Sequence, residues 1–318
     1  MNDSHLDPKK RHDFVFFFDA KDSNPNGDPD AGNMPRVDPE TMQGLVTDVC
    51  IKRKIRKWID FQEDLEGEDS CSFDIFIQMD KALNEKIDES EEADFDENAD
   101  PPKEKEARQR WMCDRYYDVR TFGAVLSTGE NEGIGRITGP MQLTISRSVD
   151  PVTISDLSIT RQAATKRSDF EEKGSTMGRK PVVLYGLYRG HGFYNPKLAN
   201  GKKGTGFDEG DLKLFWQALG EAFRHDKSAL RNQVNMREIF VFSHDDPLGN
   251  APAHELFRTI RSNLDRAKME ANGLEVPRKF EHYEFTAPDD EDSDDDASDE
   301  EESDDVLPDG VTLTRVLG

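Results

Sequence analysis

Five consecutive apolar residues, Phe14-Val15-Phe16-Phe17-Phe18, stand between Asp13 and Asp19. Successive side chains of a β-strand point to opposite faces, so a strand made from this run carries large apolar groups on both. Such a strand is stable only inside a sheet with material packed on each side. The segment Asp13–Ala20 therefore predicts a buried central strand. It is far too short to span a bilayer, no other apolar run approaches the roughly 18 residues a membrane helix needs, and the N-terminus lacks a signal-peptide core. Cys50, Cys71 and Cys113 are odd in number and show no C-x-x-C spacing. A disulfide framework is excluded and a zinc ribbon disfavoured, and the expectation is a soluble chain of a reducing cytoplasm.

The 318 residues carry a formal charge of −24, which by itself argues against a nucleic-acid partner. Its distribution changes that reading. Residues 289–305 hold 13 acids and no base, and residues 85–106 hold 11 acids against three bases. Setting both aside leaves only −3 on the remainder, whereas residues 147–204 hold 11 bases against five acids. Because charges more than about 10 Å apart are screened at 0.1 M salt, a basic groove can coexist with an acidic total. The acidic C-terminal run, and with it residues 286–318, reads as a disordered, solubilising tail; mimicry of nucleic acid is the sharper alternative.

Residues 23–36 contain three prolines, two glycines and three asparagines, a composition that makes a long loop. Asp38, Pro39 and Glu40 read as the cap and first turn of a helix running to about Asp60, with Val46, Val49, Cys50, Ile55, Trp58 and Ile59 as its apolar stripe. The stretch 52–57 (KRKIRK) places Lys52/Arg56 and Arg53/Lys57 at i,i+4 along the expected exposed side. Further strands are expected at Phe73–Met79, Thr121–Ser127, Gly139–Arg147, Pro181–Tyr194, Glu238–Phe242 and Lys279–Phe285. Helices are expected over Glu106–Tyr117, over Pro252–Ile260 and after a cap at Asp211, where Leu212, Phe215, Trp216, Leu219 and Phe223 share a face. Residues 152–180, polar and basic, predict a protruding hairpin. The order predicts an α+β fold with a split β-α-β, ferredoxin-like core and two large excursions.

Motifs for known chemistries are weak. Gly133-x-Gly135-x-x-x-Gly139 puts its third glycine one residue late for a dinucleotide loop, and Gly201–Gly206 lacks the order of a phosphate loop. His254-Glu255 has no second histidine, and His244 precedes a proline turn, so both histidines are read as structural or merely exposed. The basic helix is more informative. A solvated face is the bland reading, but five bases without an interleaved acid repel one another unless an anion compensates them. The glycine- and proline-rich loop just upstream suits close approach of a phosphate chain. In the arm, Met177 among Arg161, Lys166, Arg167, Arg179 and Lys180 reads either as a core residue at the arm's base or as an apolar wedge between cations.

These stretches resemble the crRNA-binding backbone subunit of the type I-C CRISPR surveillance complex (Cascade), of the RAMP superfamily. The resemblance rests on Asn24–Arg36 (NPNGDPDAGNMPR), Gly44–Arg56 (GLVTDVCIKRKIR), Asp118–Val125 (DVRTFGAV), Thr176–Lys180 with Tyr185–Tyr188, and Leu248–His254 (LGNAPAH). It covers about Asp13 to Phe285 and leaves the acidic runs unaddressed. It implies a modified RNA-recognition-motif (ferredoxin-like) palm spanning 13–285 after an N-terminal extension at 1–12. A fingers-type insertion at 80–118 and a thumb-type arm at 152–190 complete that picture.

The implied function is non-catalytic. Copies polymerise head to tail along the crRNA and kink it at intervals, so that segments pair with target DNA in antiviral defence. The implied partners are the crRNA, target DNA through the guide, further copies of the chain, and the cap or processing, large and small Cascade subunits, with no membrane and no cofactor. The RNA-binding candidates are Asn26, Gly27, Arg36, Lys52, Arg53, Arg56, Arg161, Met177, Arg179 and Lys180. A metal-dependent ribonuclease using Asp28 or Asp30 is the alternative, set against the plain turn chemistry of Asn-Gly-Asp-Pro. A monomeric binder of small phosphorylated ligands is a third reading, in which binding does not grow with RNA length.

Overall fold

The computed structural model describes residues 3–66, 74–79, 81–93, 101–126, 134–161, 176–288 and 306–318. From the N-terminus, β1 (Arg11–Ser23) leads through β2 (Gly27–Asp28) and β3 (Met34–Pro35) to β4 (Gln43–Val46) and the long helix α1 (Asp48–Glu66). The insertion holds α2 (Leu83–Asp88), α3 (Pro101–Arg115) and α4 (Tyr117–Phe122), then β5 (Gly123–Val125) paired with β6 (Arg136–Thr138). Next come β7 (Met141–Leu143), β8 (Ser146–Pro151), β9 (Ile154–Arg161) and β10 (Thr176–Tyr194). α5 (Pro196–Asn200) and α6 (Glu209–Gly220) precede β11 (Val234–His244). The last elements are α7 (Ala253–Thr259), β12 (Arg261–Leu264), α8 (Arg266–Ala271), β13 (Tyr283–Thr286) and β14 (Val311–Leu317).

The fold is α+β around an antiparallel sheet of order β14-β11-β1-β10-β8-β4, with β7 and β9 added along β10. β1 lies in its middle, as the aromatic run requires. Phe14, Phe16 and Phe18 enter the core beneath α1 and α6, and Val15 and Phe17 enter a second core with Leu187, Phe240, Phe242 and Leu256. Each of these β1 side chains is fully buried, worth about 2 kcal/mol of transfer free energy apiece. The facing positions of β10 are glycines for a steric reason. A Cβ on Gly192 falls 2.0 Å from the Phe14 ring, and one on Gly190 falls 2.3 Å from the Phe16 ring. The expected face of α6 (Leu212, Phe215, Trp216, Leu219) is buried, although its cap is Asp208, with Asp211 in the third helical position of a capping box.

Several expectations are corrected. Residues 38–46 are not helical: the Asp38 carboxylate accepts the N–H groups of Glu40 and Thr41 in a turn, and Gln43–Val46 pairs with β8 at the sheet edge. α1 starts only after Thr47, whose hydroxyl accepts the Cys50 N–H, and Val49 of the expected stripe is 63% exposed. Of the expected strand Phe73–Met79, the described residues 74–79 form only a bridge from Asp74 to Tyr116, and the polar backbone groups that follow it go to side chains. Asp118 accepts from Phe76 and Ile77 N–H, and the buried Lys86 ammonium donates to Ile75 O. The strand expected from Thr121 begins only at Gly123, whose φ of +79° ends α4. Residues 283–286 pair with β12, away from the central sheet, and 311–317 of the supposed tail form its outer strand β14. The acidic run 289–305 lies outside the described residues.

His12, fully buried in β1, donates from Nε2 to the Asp7 carbonyl at 2.9 Å and so accepts the Ser243 hydroxyl at Nδ1 (3.0 Å). Burial lowers its pKa to about 4, and burial with the neighbouring Arg189 does the same to His191. Between the unfolded value of 6.5 and about 4, the unfolded chain binds more protons. Stability is therefore level above pH 6.5 and falls as pH drops toward 4, by about 3 kcal/mol for His12 alone. Urea midpoints taken from pH 7 to pH 4.5 should decline, and His12→Asn should flatten that decline. An equal slope in both proteins removes His12 as its source.

Candidate nucleic-acid interface

The loop 24–36 is ordered by its own polar side chains. Asn26 Oδ1 accepts both the Thr47 N–H (3.0 Å) and the Thr47 hydroxyl (3.1 Å), fastening the loop to the start of α1. Asn24 Nδ2 donates to the Asn33 carbonyl at 2.7 Å. Gly27 pairs with Pro35, and a Cβ there falls 2.0 Å from Asn33 Oδ1, so a larger residue would push the exposed Asn33 side chain aside. Gly32 and Asn33 turn the chain at φ of +62° and +63°. Asp28 caps this turn through the Asp30 N–H (3.2 Å) and meets Arg36 at 3.3 Å. Among the described residues no group of three His, Cys, Asp or Glu side chains is placed to hold a metal ion.

On α1 the electrostatic repulsion expected among the bases has an internal answer. Lys52 reaches Asp48 at 3.1 Å, and Arg56 Nε donates to Asp118 at 2.6 Å, both cations lying over the Phe122 ring. Lys54 is buried against Asp226, which Arg231 also approaches at 2.9 Å. Burial pushes the Asp226 carboxyl up, but Lys54 and Arg231 hold it below the usual range. The anions that relieve the basic helix are thus the chain's own, and the expected exposed stripe reduces to Arg53, exposed without an ion-pair partner among the described residues, and Lys57. Asp118 and Asp226 were not singled out by sequence reasoning. Asp118 at least stood in a recognisable stretch, whereas nothing local marked Asp226.

The arm is the antiparallel hairpin of β9 with the first half of β10. Arg179, 77% exposed at its side chain, donates from Nε to Asp156 at 2.6 Å. Lys180 sits opposite Leu157, and Gly178 opposite Ile159. Neighbouring strand residues point to opposite faces, so Arg179 and Lys180 serve different sides of the arm. Gly178 makes no turn: it continues the strand. The backbones of Arg161 and Met177 pair with Thr176 and Thr160, while their side chains, like Lys166 and Arg167, lie outside the described residues. β3 and β4 pack against β10, so the loop, the start of α1 and the base of the arm form one region.

The histidines are placed as expected. His244 is buried, accepts the Asn250 N–H at Nδ1 (2.9 Å) and donates from Nε2 to Asp13 (3.1 Å), while the His254 side chain is 79% exposed. Burial raises the Cys113 thiol to about 12, so it is no nucleophile. No helix among the described residues is long and apolar enough to cross a membrane.

CRISPR-associated protein Cas7 of Haloferax volcanii is 26% identical over 235 residues, which cover 66% of this chain and 64% of that protein, so the match spans less than two thirds of the relative's length. A chain of a solved "CRISPR RNA-guided surveillance complex, pre-nicking" aligns with a TM-score of 0.43 and 14% identity over 73% of this chain and 75% of its own. A chain of another "CRISPR RNA-guided surveillance complex" aligns with a TM-score of 0.39 and 16% identity over 83% and 81%. The family model described as CRISPR-associated protein Cas7 matches residues 10–288, and the chain belongs to that family.

Proposed function

We propose that this chain is a non-catalytic subunit that polymerises along CRISPR guide RNA, holds its backbone and kinks it so that segments pair with target DNA. The observation that carries the reading is the fastening of the Asn24–Arg36 loop, through Asn26, to the start of a helix bearing the exposed Arg53, beside the base of the arm. In this reading Gly27 lets the sugar-phosphate chain approach the backbone, and Arg36, Lys52, Arg53, Arg56, Arg179 and Lys180 supply its positive surroundings without reading bases. Arg161 and Met177 belong to the thumb, Met177 beside a displaced base. The type I-C assignment belongs to the same proposal, as do the other Cascade subunits and a prokaryotic cytoplasm.

The finer architecture follows. The strands β11-β1-β10-β8 have the order and antiparallel sense of a ferredoxin-like palm, with α1 between β1 and β8 and α6 between β10 and β11. The segments 80–118 and 152–190 serve as fingers and thumb.

Replacing Arg53 by Ala should weaken binding about equally for all RNA sequences and lower the log–log salt slope by roughly 0.7 per lost phosphate contact. Fluorescence anisotropy with two unrelated RNAs at several salt concentrations measures both; loss confined to one sequence contradicts a backbone-only role. Arg56→Ala should instead lower folding stability, because it leaves Asp118 buried without its cation. The ribonuclease alternative has its own test. Labelled RNA incubated with the chain and Mg²⁺ should stay intact, and cleavage abolished by Asp28→Ala would overturn the non-catalytic reading.

A further inference from the structure

The stretch Leu248–His254 and a cavity beside α1 and α6 are both left unused by the interface described above. The loop after β11 is braced at nearly every polar group. Leu248 N–H donates to Asp246 Oδ1 (2.8 Å), Asp246 N–H to Asn250 Oδ1 (2.9 Å), and Asn250 N–H to His244 Nδ1 (2.9 Å). Arg11 holds the Leu248 carbonyl at 3.3 Å, and Asp245 N–H reaches Gly310 O at 2.9 Å. What this scaffold presents is an apolar side chain: Leu248 is 74% exposed. The loop thus holds an apolar side chain in water in a fixed place, at the cost of the backbone's conformational entropy. A rigid apolar knob is, however, the shape of an interface anchor.

An open groove of about 1310 Å³ runs between α1, α6 and the ends of β11 and β14, with Trp58, Leu214, Trp216, Met236, Val316 and Leu317 among its lining. Val234–Met236 and Ile239, in the first half and middle of β11, border it, whereas the knob follows the end of that strand. Five to ten residue steps of about 3.3 Å, roughly 16–33 Å, separate these residues from the strand's end. Charge matches across the two patches. The knob carries exposed Asp246, with no cation partner among the described residues, and Asp245, shared with Lys10. The groove's rim carries exposed Lys213 and Lys227, beside Arg224, Glu221 and Asp208; Glu221 is occupied by Arg224 and Trp58, and Asp208 by the cap of α6.

We propose that Leu248 of one copy docks into this groove of the next, with Asp246 facing the lysine rim. Two unlike patches make a heterologous contact, which repeats as an open filament when its rotation does not close. The inference rests on the reading that copies stack along guide RNA, and it names the surfaces that meet. The test compares the wild-type chain with Leu248→Asp on RNAs of increasing length, by mass photometry, alongside affinity for an RNA long enough for one copy only. Wild-type assemblies should grow with RNA length. Leu248→Asp should keep its melting temperature and one-copy affinity while losing multi-copy assembly by more than about tenfold. Its intact groove should still accept a wild-type knob, so added variant should shorten wild-type assemblies as a chain terminator. Asp246→Lys should also impair assembly, and pairing it with Lys213→Glu should restore part of the loss. If Leu248→Asp assembles like wild type, or if it assembles poorly but never caps wild-type chains, the knob-in-groove contact is wrong and stacking along RNA stands. If wild type itself never lengthens on RNA, the filament reading fails first.

Discussion

Truncation after Pro308 is expected to cost the protein most of its stability, although the residues removed follow an acidic run that reads as a dispensable tail. β14 pairs along β11 from His244 to Ile239 and closes that edge of the sheet. Arg315 holds the Glu238 carboxylate through two hydrogen bonds of 2.8 Å, and Glu238 is 4% exposed. Removing the arginine leaves the Glu238 carboxylate without its cation. Val311, Leu313 and Leu317 also leave the two cores, and the β11 edge loses its ladder partner. Against a typical total of about 5–15 kcal/mol, the truncated chain should melt far earlier or collect in the insoluble fraction. A truncated protein with an unchanged urea midpoint would show that β14 is not part of the folded body.

The second large effect is expected at Asp211. Its carboxylate receives Arg120 Nε at 2.9 Å and Nη2 at 2.8 Å, and closes the capping box of α6 by accepting the Asp208 N–H at 3.0 Å. Arg120 also donates to the Cys113 carbonyl at 2.6 Å, and both residues of the pair are about 95% or more buried. The pair joins the insertion's helices to the helix beneath the sheet. Asp211→Asn keeps the shape but leaves a buried guanidinium without its anion, at about 3–5 kcal/mol. The double change Arg120→Met with Asp211→Leu should recover a large part of that loss, since removing both charges also removes the desolvation penalty. Chemical denaturation of the three variants decides it: a double mutant as unstable as Asp211→Asn would show that hydrogen bonding, rather than the unpaired charge, dominates.

Whatever depends on neighbours within a few residues is legible in the amino-acid order itself. Phe14–Phe18 dictated a central strand, because five apolar side chains in an alternating backbone need cover on both faces. The face Leu212, Phe215, Trp216 and Leu219 dictated an amphipathic helix by its period, and the composition of Asn24–Arg36 dictated a loop, although the structure adds a two-residue ladder between β2 and β3 that the composition had argued against. Tertiary structure decided which ends those elements have and where their charges go. Asp38-Pro39-Glu40 has the local chemistry of a helix start, but Gln43–Val46 completes the hydrogen bonds of the sheet edge, and that pairing outweighs local preference. Arg56 and Lys54 looked like free cations because their anions, Asp118 and Asp226, lie 62 and 172 positions away. Likewise Val311–Leu317 took its place as a strand only because β11 offers it an open ladder. Sequence period specifies a segment's faces. Which partner satisfies its backbone and its charge is settled only when distant segments meet, since a hydrogen bond or a buried ion pair depends on distance in space and carries no mark in the residues beside it.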